Sequence, residues 1–342
     1  MKYYHIPIFV PHRGCPYDCV FCNQRRITGN VRQTTPDDVT EIIKRHLETI
    51  PRHDSHTEAA FFGGSFTGIP MSEQNALMDR VQPYISDGRI CGIRLSTRPD
   101  YIDGPILENL KRHHVTAIEL GVQSMSDDVL LASGRGHTAE TAKAAAKLIS
   151  EYGFELGLQM MTGLPGDSDE RAIQTARDII ALRPACVRIY PTLVIKDTYL
   201  ETMYNGKRYT PQTVDEAAEL SKKLLLMFEA AGINVIRIGL QPTEEIAEGA
   251  SVVAGPFHSA FGEIVESRIY YDAAAAALSG ATGDAVIYVN PGEISKMVGQ
   301  KRSNILRLQK ETGIAVTVKG DAGLKKREVR CVAVKKNGAD RL

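Results

Sequence analysis

Pro11-His12-Arg13-Gly14-Cys15-Pro16-Tyr17-Asp18-Cys19-Val20-Phe21-Cys22-Asn23 sets three cysteines with gaps of three and two residues, directly after the apolar stretch Ile6 to Val10. Thiolates this close can hold three corners of a cubane iron–sulfur cluster, where the all-cysteine form takes four. The fourth iron is then left without a protein ligand, and a small molecule can bind there. The same residues also suit structural zinc, with His12 joining Cys15, Cys19 and Cys22. An odd trio argues against disulfides, as does the lack of secretory features.

Around this loop the composition is that of an ordinary globular protein, 43% apolar and 24% charged, which sets aside disordered and fibrous classes. The 342 residues suffice for one large α/β domain with a smaller one, or for two of medium size. Cys91, Cys186 and Cys331 stand singly and read as buried thiols. The opening MKYYHIPIFVPH has no signal-peptide core, and no run approaches the ~20 apolar residues of a membrane span. A reducing cytoplasmic setting without membrane contact is the expectation. Charge is unevenly shared: from Pro291 onward 13 basic residues face 5 acidic ones, a net of +8, and the rest of the chain carries −8. Such asymmetry points to a polyanion-facing appendage, or to a solvated basic tail domain.

Strand candidates are Ile6–Pro11, Ala59–Gly63, Ile93–Thr97, Ala117–Gln123, Glu155–Met161, Cys186–Tyr190 and Asn234–Gly239. Between them the pattern predicts helices over Pro36–Thr49, Ser72–Ile85, Ile106–Arg112, Thr138–Tyr152, Asp169–Ala181 and Thr213–Ala231. Thr35-Pro36 and Ser168-Asp169-Glu170 read as helix starts, and Gly153 and Gly232 as stops. Repeated strand–helix units imply a parallel sheet, either doubly wound or a (β/α) barrel, which periodicity does not separate. Unusual polar residues at the strand C-terminal ends favour the barrel.

Those ends carry the candidate site. The second strand runs into Gly63-Gly64-Ser65-Phe66-Thr67-Gly68, where glycines let backbone approach a ligand. The third ends in Ser96-Thr97-Arg98-Pro99-Asp100, and the fourth in Glu119-Leu120-Gly121-Val122-Gln123-Ser124, with Glu119 and Gln123 sharing one face. Gly134-Arg135-Gly136-His137-Thr138 follows, then Gln159 before Gly163-Leu164-Pro165-Gly166, then Tyr190-Pro191-Thr192-Leu193-Val194-Ile195-Lys196-Asp197-Thr198. Candidate substrate contacts are Tyr190, Lys196, Arg237, Gln241 and His258, the last as readily a core or capping histidine.

In this order the motifs resemble the radical S-adenosylmethionine (SAM) superfamily. They are most similar to the radical-SAM half of the Elongator catalytic subunit, over about Tyr4 to Tyr270. The resemblance favours iron over zinc. The change of pattern near Ala281–Asp284 sets a domain boundary, with 1–282 before it and a small α+β domain at 283–342 after it, and the resemblance implies a partial (β/α)6-type TIM barrel for the first. It implies that Cys15, Cys19 and Cys22 bind a [4Fe-4S] cluster and that SAM chelates the open iron. Gly63, Gly64 and Ser65 match the glycine motif that meets the methionine ammonium, and Ser96 a ribose-side position. Gln123 and Arg135 match SAM contacts of the related coproporphyrinogen oxidases, where Gln159 replaces an acidic contact. The implied chemistry is reductive cleavage of SAM to methionine and a 5′-deoxyadenosyl radical, with a flavodoxin- or ferredoxin-type protein as electron donor. The last sixty residues are too few for Elongator's acetyltransferase domain, and a second cysteine cluster for methylthiolation is lacking.

From Asp284 the order strand, helix, Gly299-Gln300-Lys301-Arg302, helix, strand, strand resembles a KH RNA-binding domain, whose GXXG loop clamps single-stranded backbone. Arg302 stands where the second glycine is expected, and Lys296, Lys301, Arg302, Arg307 and Lys310 suit phosphate contact. The leading expectation is a radical-SAM enzyme acting on an RNA, foremost a tRNA base. The alternatives are a coproporphyrinogen-oxidase-like porphyrin enzyme and an RNA-binding protein whose cluster is structural or redox-sensing.

Overall fold

The parity of the large apolar and the charged residues along the strands decides which way the main sheet faces. In the computed structural model, residues 2–10, 19–23, 33–240, 250–281 and 283–334 are described. Among these residues nine strands lie in the first part of the chain: β1 (Lys2–Phe9), β2 (Ser55–Phe62), β3 (Gly92–Thr97), β4 (Val115–Gln123), β5 (Glu155–Thr162), β6 (Cys186–Pro191), β7 (Val194–Ile195), β8 (Asn234–Ile238) and β9 (Val252–Ala254). Seven of them form one sheet in the order β1-β2-β3-β4-β5-β6-β8, every pairing parallel. β7 and β9 make a separate antiparallel pair that the sequence pattern did not suggest.

A doubly wound sheet reverses its strand order at a switch point, whereas a barrel adds each strand beside the last. The order here never reverses. One face carries Ile6, Ile8, Ala59, Phe61, Ile93, Leu95, Ile118, Leu120, Leu156, Leu158, Val187 and Ile189, all buried. The opposite face carries Glu58, Arg94, Ser96, Glu119, Gln159, Arg188 and Tyr190. One apolar face under helices and one polar face turned inward is the layout of a partial (β/α) barrel, as expected.

The helices of this part are α1 (Pro36–Leu47), α2 (Met71–Asp79), α3 (Gln82–Ser86), α4 (Gly104–Arg112), α5 (Asp127–Ala132), α6 (Ala139–Glu151), α7 (Asp169–Ala181), α8 (Tyr199–Asn205) and α9 (Val214–Ala230). Thr35 caps α1 in a reciprocal box with Asp38, with Pro36 in the first turn. Ser168 caps α7, and Gly153 and Gly232 take positive φ after α6 and α9. The single helix expected over Ser72–Ile85 is two: the chain breaks between Asp79 and Gln82. Pro83 lies in the first turn of α3, where its missing N–H costs nothing; inside a continuous helix it would remove a bond.

By internal packing the chain forms two units, Met1–Ala217 with Leu224–Ser259, and Ala218–Lys223 with Ala260–Leu342. The division therefore falls earlier than the expected 282/283. Helix α10 (Phe261–Leu278) is the reason, since its Tyr270, Tyr271, Ala274 and Leu278 belong to the second unit's core. That core is completed from β10 (Ala285–Val289), α11 (Ile294–Val298), α12 (Ser303–Thr312) and β11 (Val316–Gly320). With β12 (Arg330–Ala333), the sheet order is β11-β10-β12, parallel on one side of β10 and antiparallel on the other. Among the described residues no helix is long and apolar enough to cross a membrane.

Candidate functional site

The inward face of the barrel is polar because its charges are arranged in compensating contacts. Glu119, on β4, has a side chain only 1% exposed. It accepts hydrogen bonds from Arg188 Nε at 2.6 Å and Nη2 at 3.0 Å, and from Gln159 Nε2 at 3.0 Å. Arg94 Nη1 lies 3.6 Å away, while Arg94 itself donates to Glu58 at 3.0 Å and Glu155 at 2.8 Å. Burial opposes ionisation of Glu119, but the Arg188 fork and charge outweigh it and hold the carboxyl below its usual range. Burial likewise opposes ionisation of Glu58, yet bonds from His5 and Thr116 and the Arg94 charge bring it to about 2. Burial drives the Cys186 thiol up to about 11, helped by the Glu119 charge, so it stays protonated.

At the C-terminal end of β4 the ladder slips: Gly121 pairs with Gln159, but Gln123 pairs with Met160. This bulge puts Gln123 in the left-handed region, φ 69°. The missing side chain of Gly121 makes room for two others, since a Cβ there would lie 3.1 Å from Gln123 Nε2 and 3.5 Å from Arg135 Nη2. Gln123 and Arg135, paired in the sequence reading only by resemblance, are thus brought together over Gly121. Gln123 Oε1 and Arg135 Nε are both buried without a hydrogen-bond partner among the described residues.

Cys19 sits beside them. Arg135 Nη1 is 3.4 Å and Arg98 Nη1 3.9 Å from its sulfur. Arg135 also donates to Gly121 O, and Arg98 to Arg135 O and to both oxygens of Asp100. The backbone turns from Cys19 to Cys22 through a Cys22 N–H to Cys19 O bond of 2.9 Å. This short segment is clasped from two sides: Val20 N donates to Ser133 O at 3.1 Å, and Leu200 N to Val20 O at 2.7 Å. Asn23 Nδ2 adds a bond to Lys196 O at 3.1 Å. Val20 packs with Val194, Leu200 and Tyr209. Sequence reasoning missed Arg98 as a neighbour of Cys19 and missed the clasp; the buried cation in the Ser-Thr-Arg-Pro motif was the one available signal.

Gly63, at φ 100°, follows β2 directly, with Ser65 buried behind it. Thr67 is bonded to Thr97 at 2.6 Å and to Tyr101 O at 2.7 Å, which ties the glycine loop to the end of β3. Ser96 is half-buried and pairs in register with Glu119. His137 is buried 4.0 Å from Asp100. Burial, reinforced by the Arg135 and Arg98 charges, pushes it down to about 4, so it is neutral. In the β5–α7 loop Asp167 accepts from Gly163 N and Ser168 N, each at 2.9 Å, and burial raises it to about 6.

Of the substrate candidates, Tyr190 adjoins Arg188 and Arg237, and burial raises its hydroxyl pKa. Arg237 is the register partner of Arg188. Lys196 follows β7 directly, its amide bonded to Ser251 O at 2.9 Å and its carbonyl to Asn23 of the cysteine segment. His258 is half-buried. Cys15, His12 and Gln241 lie outside the described residues, within which no three His, Cys, Asp or Glu side chains are grouped to hold a metal ion.

Residues 9–179 match the model of the radical SAM superfamily, and residues 184–271 that of the radical SAM C-terminal domain. The chain belongs to the radical SAM superfamily. This radical SAM enzyme is 34% identical over 190 residues to Elongator complex protein 3 of Mus musculus, covering 50% of this chain and 35% of that one. It is 33% identical over 126 residues to the tRNA uridine(34) acetyltransferase of Dehalococcoides mccartyi, covering 36% and 28%. The chain thus spans about a third of the length of these relatives. The Elp3 structure of Methanocaldococcus infernus superposes with a TM-score of 0.65 at 21% identity, over 80% of this chain and 63% of that one, which shows the shared fold.

Radical SAM enzymes work with a [4Fe-4S] cluster and SAM. The residues present fit both groups. Two thiols lie on one tight turn, two guanidiniums face one of them, and an orphaned donor and acceptor sit alongside. A buried polar atom without a partner carries a free-energy cost that a bound ligand removes.

Proposed function

We propose that this radical SAM enzyme modifies an RNA, foremost a tRNA base. In this reading Cys15, Cys19 and Cys22 hold the cluster, while Gly63, Gly64 and Ser65 offer backbone and hydroxyl groups to the methionine end of SAM. Ser96 lies on the ribose side, and Gln123 and Arg135 use their unpartnered atoms on SAM. Gln159 serves chiefly to hold Glu119, since its amide is already engaged there. The chemistry these groups supply when bound is one-electron cleavage of a sulfonium C–S bond, giving a carbon radical that takes hydrogen from, or adds to, a substrate carbon. A flavodoxin- or ferredoxin-type protein supplies the electron. The chain's own part is to fix the thiol loop between Ser133 and Leu200, to orient Gln123 and Arg135 over Gly121, and to wall the barrel against water. Tyr190 and Arg237, at the open ends of neighbouring strands, are the substrate-facing candidates, with Lys196 and Gln241 further along the chain.

The observation that carries the substrate class is the match to proteins named for tRNA uridine(34), one of which is 33% identical over 126 residues. The second unit supports it. Its strand–helix–helix–strand order is the one read from the sequence as resembling a KH domain, and Gly299-Gln300-Lys301-Arg302 joins the two helices with Lys301 and Arg302 exposed. Not every basic residue of the sequence reading is available. Lys296 is bonded to Glu293 at 3.0 Å, and Arg307 to Glu311 at 2.8 Å while stacking on Tyr271. Phosphate contact therefore falls to Lys301, Arg302 and Lys310.

The test is anaerobic incubation of the purified protein with SAM and dithionite, reading 5′-deoxyadenosine, together with a comparison of tRNA nucleosides from cells with and without the gene. The reading expects product with the wild type, none with Cys19→Ala, and one modified nucleoside missing from the deletion. Unchanged nucleosides would overturn the RNA assignment, and equal activity in Cys19→Ala the assignment of the cysteines.

A further inference from the structure

Arg135 is a permanently charged side chain, 5% exposed. No carboxylate is among its described contacts: it donates to Gly121 O and approaches Cys19 Sγ at 3.4 Å, and its Nε has no acceptor. Arg98, also buried, differs in being neutralised by Asp100 through bonds of 2.9 and 3.1 Å. His137, two residues beyond Arg135, is neutral and contributes no charge. Among the described residues the pocket around Cys19 therefore holds one guanidinium in excess, and burying a cation without a counter-charge is costly.

We propose that the counter-charge is the Cys19 thiolate with its cluster, and that Arg135 sets the potential at which that cluster accepts an electron. This rests on Cys19 being a cluster ligand. Hydrogen bonds and positive charge at ligand sulfurs stabilise the reduced form, which carries one more negative charge. Arg98 fixes the geometry, because its Nη2 donates to the carbonyl of Arg135 and its Nη1 reaches the same sulfur at 3.9 Å. Contact with SAM and contact with Cys19 are compatible, since the guanidinium uses Nη1 for sulfur and Nη2 for Gly121 and keeps Nε. The sulfur contact acts before SAM arrives.

The experiment is a redox titration of the full, anaerobically reconstituted, SAM-free protein with dithionite, read by the electron paramagnetic resonance of the reduced cluster. Arg135→Met is expected to make reduction at least tenfold less favourable, equivalent to about 59 mV for one electron. Arg135→Lys, which keeps the charge and loses the fork, is expected to fall between Met and wild type. A loaded Arg135→Met with the wild-type potential overturns the proposal and leaves Arg135 a SAM contact only. Should Arg135→Met not retain iron, the neutral but polar Arg135→Gln decides: an unshifted potential there refutes the sulfur-side role. Iron and sulfide content of wild type and Cys19→Ala reports separately on the cluster assignment itself.

Discussion

Replacing Glu119 by Gln changes one atom and tests whether the barrel wall is held by charge. Glu119 is the carboxylate that Arg188 grips with two bonds, 2.6 and 3.0 Å long, and Arg94 approaches it at 3.6 Å. Arg94 keeps Glu58 and Glu155 in the variant; Arg188 keeps no carboxylate among these contacts. Two unit charges ~4 Å apart interact by about 4 kcal/mol at an effective dielectric of about 20. Breaking one partner of a buried pair costs roughly 3–5 kcal/mol by mutation. The two estimates agree, so Glu119→Gln is expected to lose about 4 kcal/mol. At roughly 2–4 °C per kcal/mol for a unit of this size, the melting transition falls by about 8–16 °C. The assay is calorimetry, with urea unfolding followed by circular dichroism, on Glu119→Gln, Glu119→Leu, Arg188→Met and the double variant Glu119→Leu/Arg188→Met. The double variant removes both charges and is expected to be more stable than either single one. A loss under about 1 kcal/mol in Glu119→Gln, or strict additivity in the cycle, would refute the reasoning.

Gly157→Ala places a Cβ 2.7 Å from Glu119 Cγ and 3.1 Å from Cys186 Sγ, so calorimetry should show a loss of about 1–3 kcal/mol from overpacking. His137 has its pKa lowered from 6.5 to about 4, so the folded state binds fewer protons than the unfolded chain between those values. Its contribution is present above 6.5 and is lost as pH falls toward 4, up to about 3 kcal/mol at roughly 1.4 kcal/mol per unit. His137→Gln should flatten stability against pH in that window; parallel curves would contradict it. Arg302 has φ 64°, a left-handed conformation that costs a non-glycine residue roughly 1–2 kcal/mol. Arg302→Gly is thus expected to stabilise the protein by up to about 1 kcal/mol while weakening tRNA binding in a filter or anisotropy assay; tighter binding would count against the charge contact.

The amino-acid sequence by itself determined the strand–helix alternation, because the apolar face of each strand and the caps of each helix are local properties. Thr35-Pro36, Ser168, Gly153 and Gly232 mark their boundaries through hydrogen bonds and φ values that involve few distant residues. The cysteine trio and the polar strand ends were likewise legible, since burying Glu119 or Arg98 in a strand end demands a partner or a ligand. Which partner was not legible. Arg188 and Glu119 are 69 residues apart, and Arg98 and Cys19 are 79 apart, so their meeting depends on strand order and register. The bulge that turns Gln123 over Gly121 and the membership of α10 in the second unit were decided the same way. Burial and pairing are properties of what lies across a fold, and only the tertiary structure brings those surfaces together.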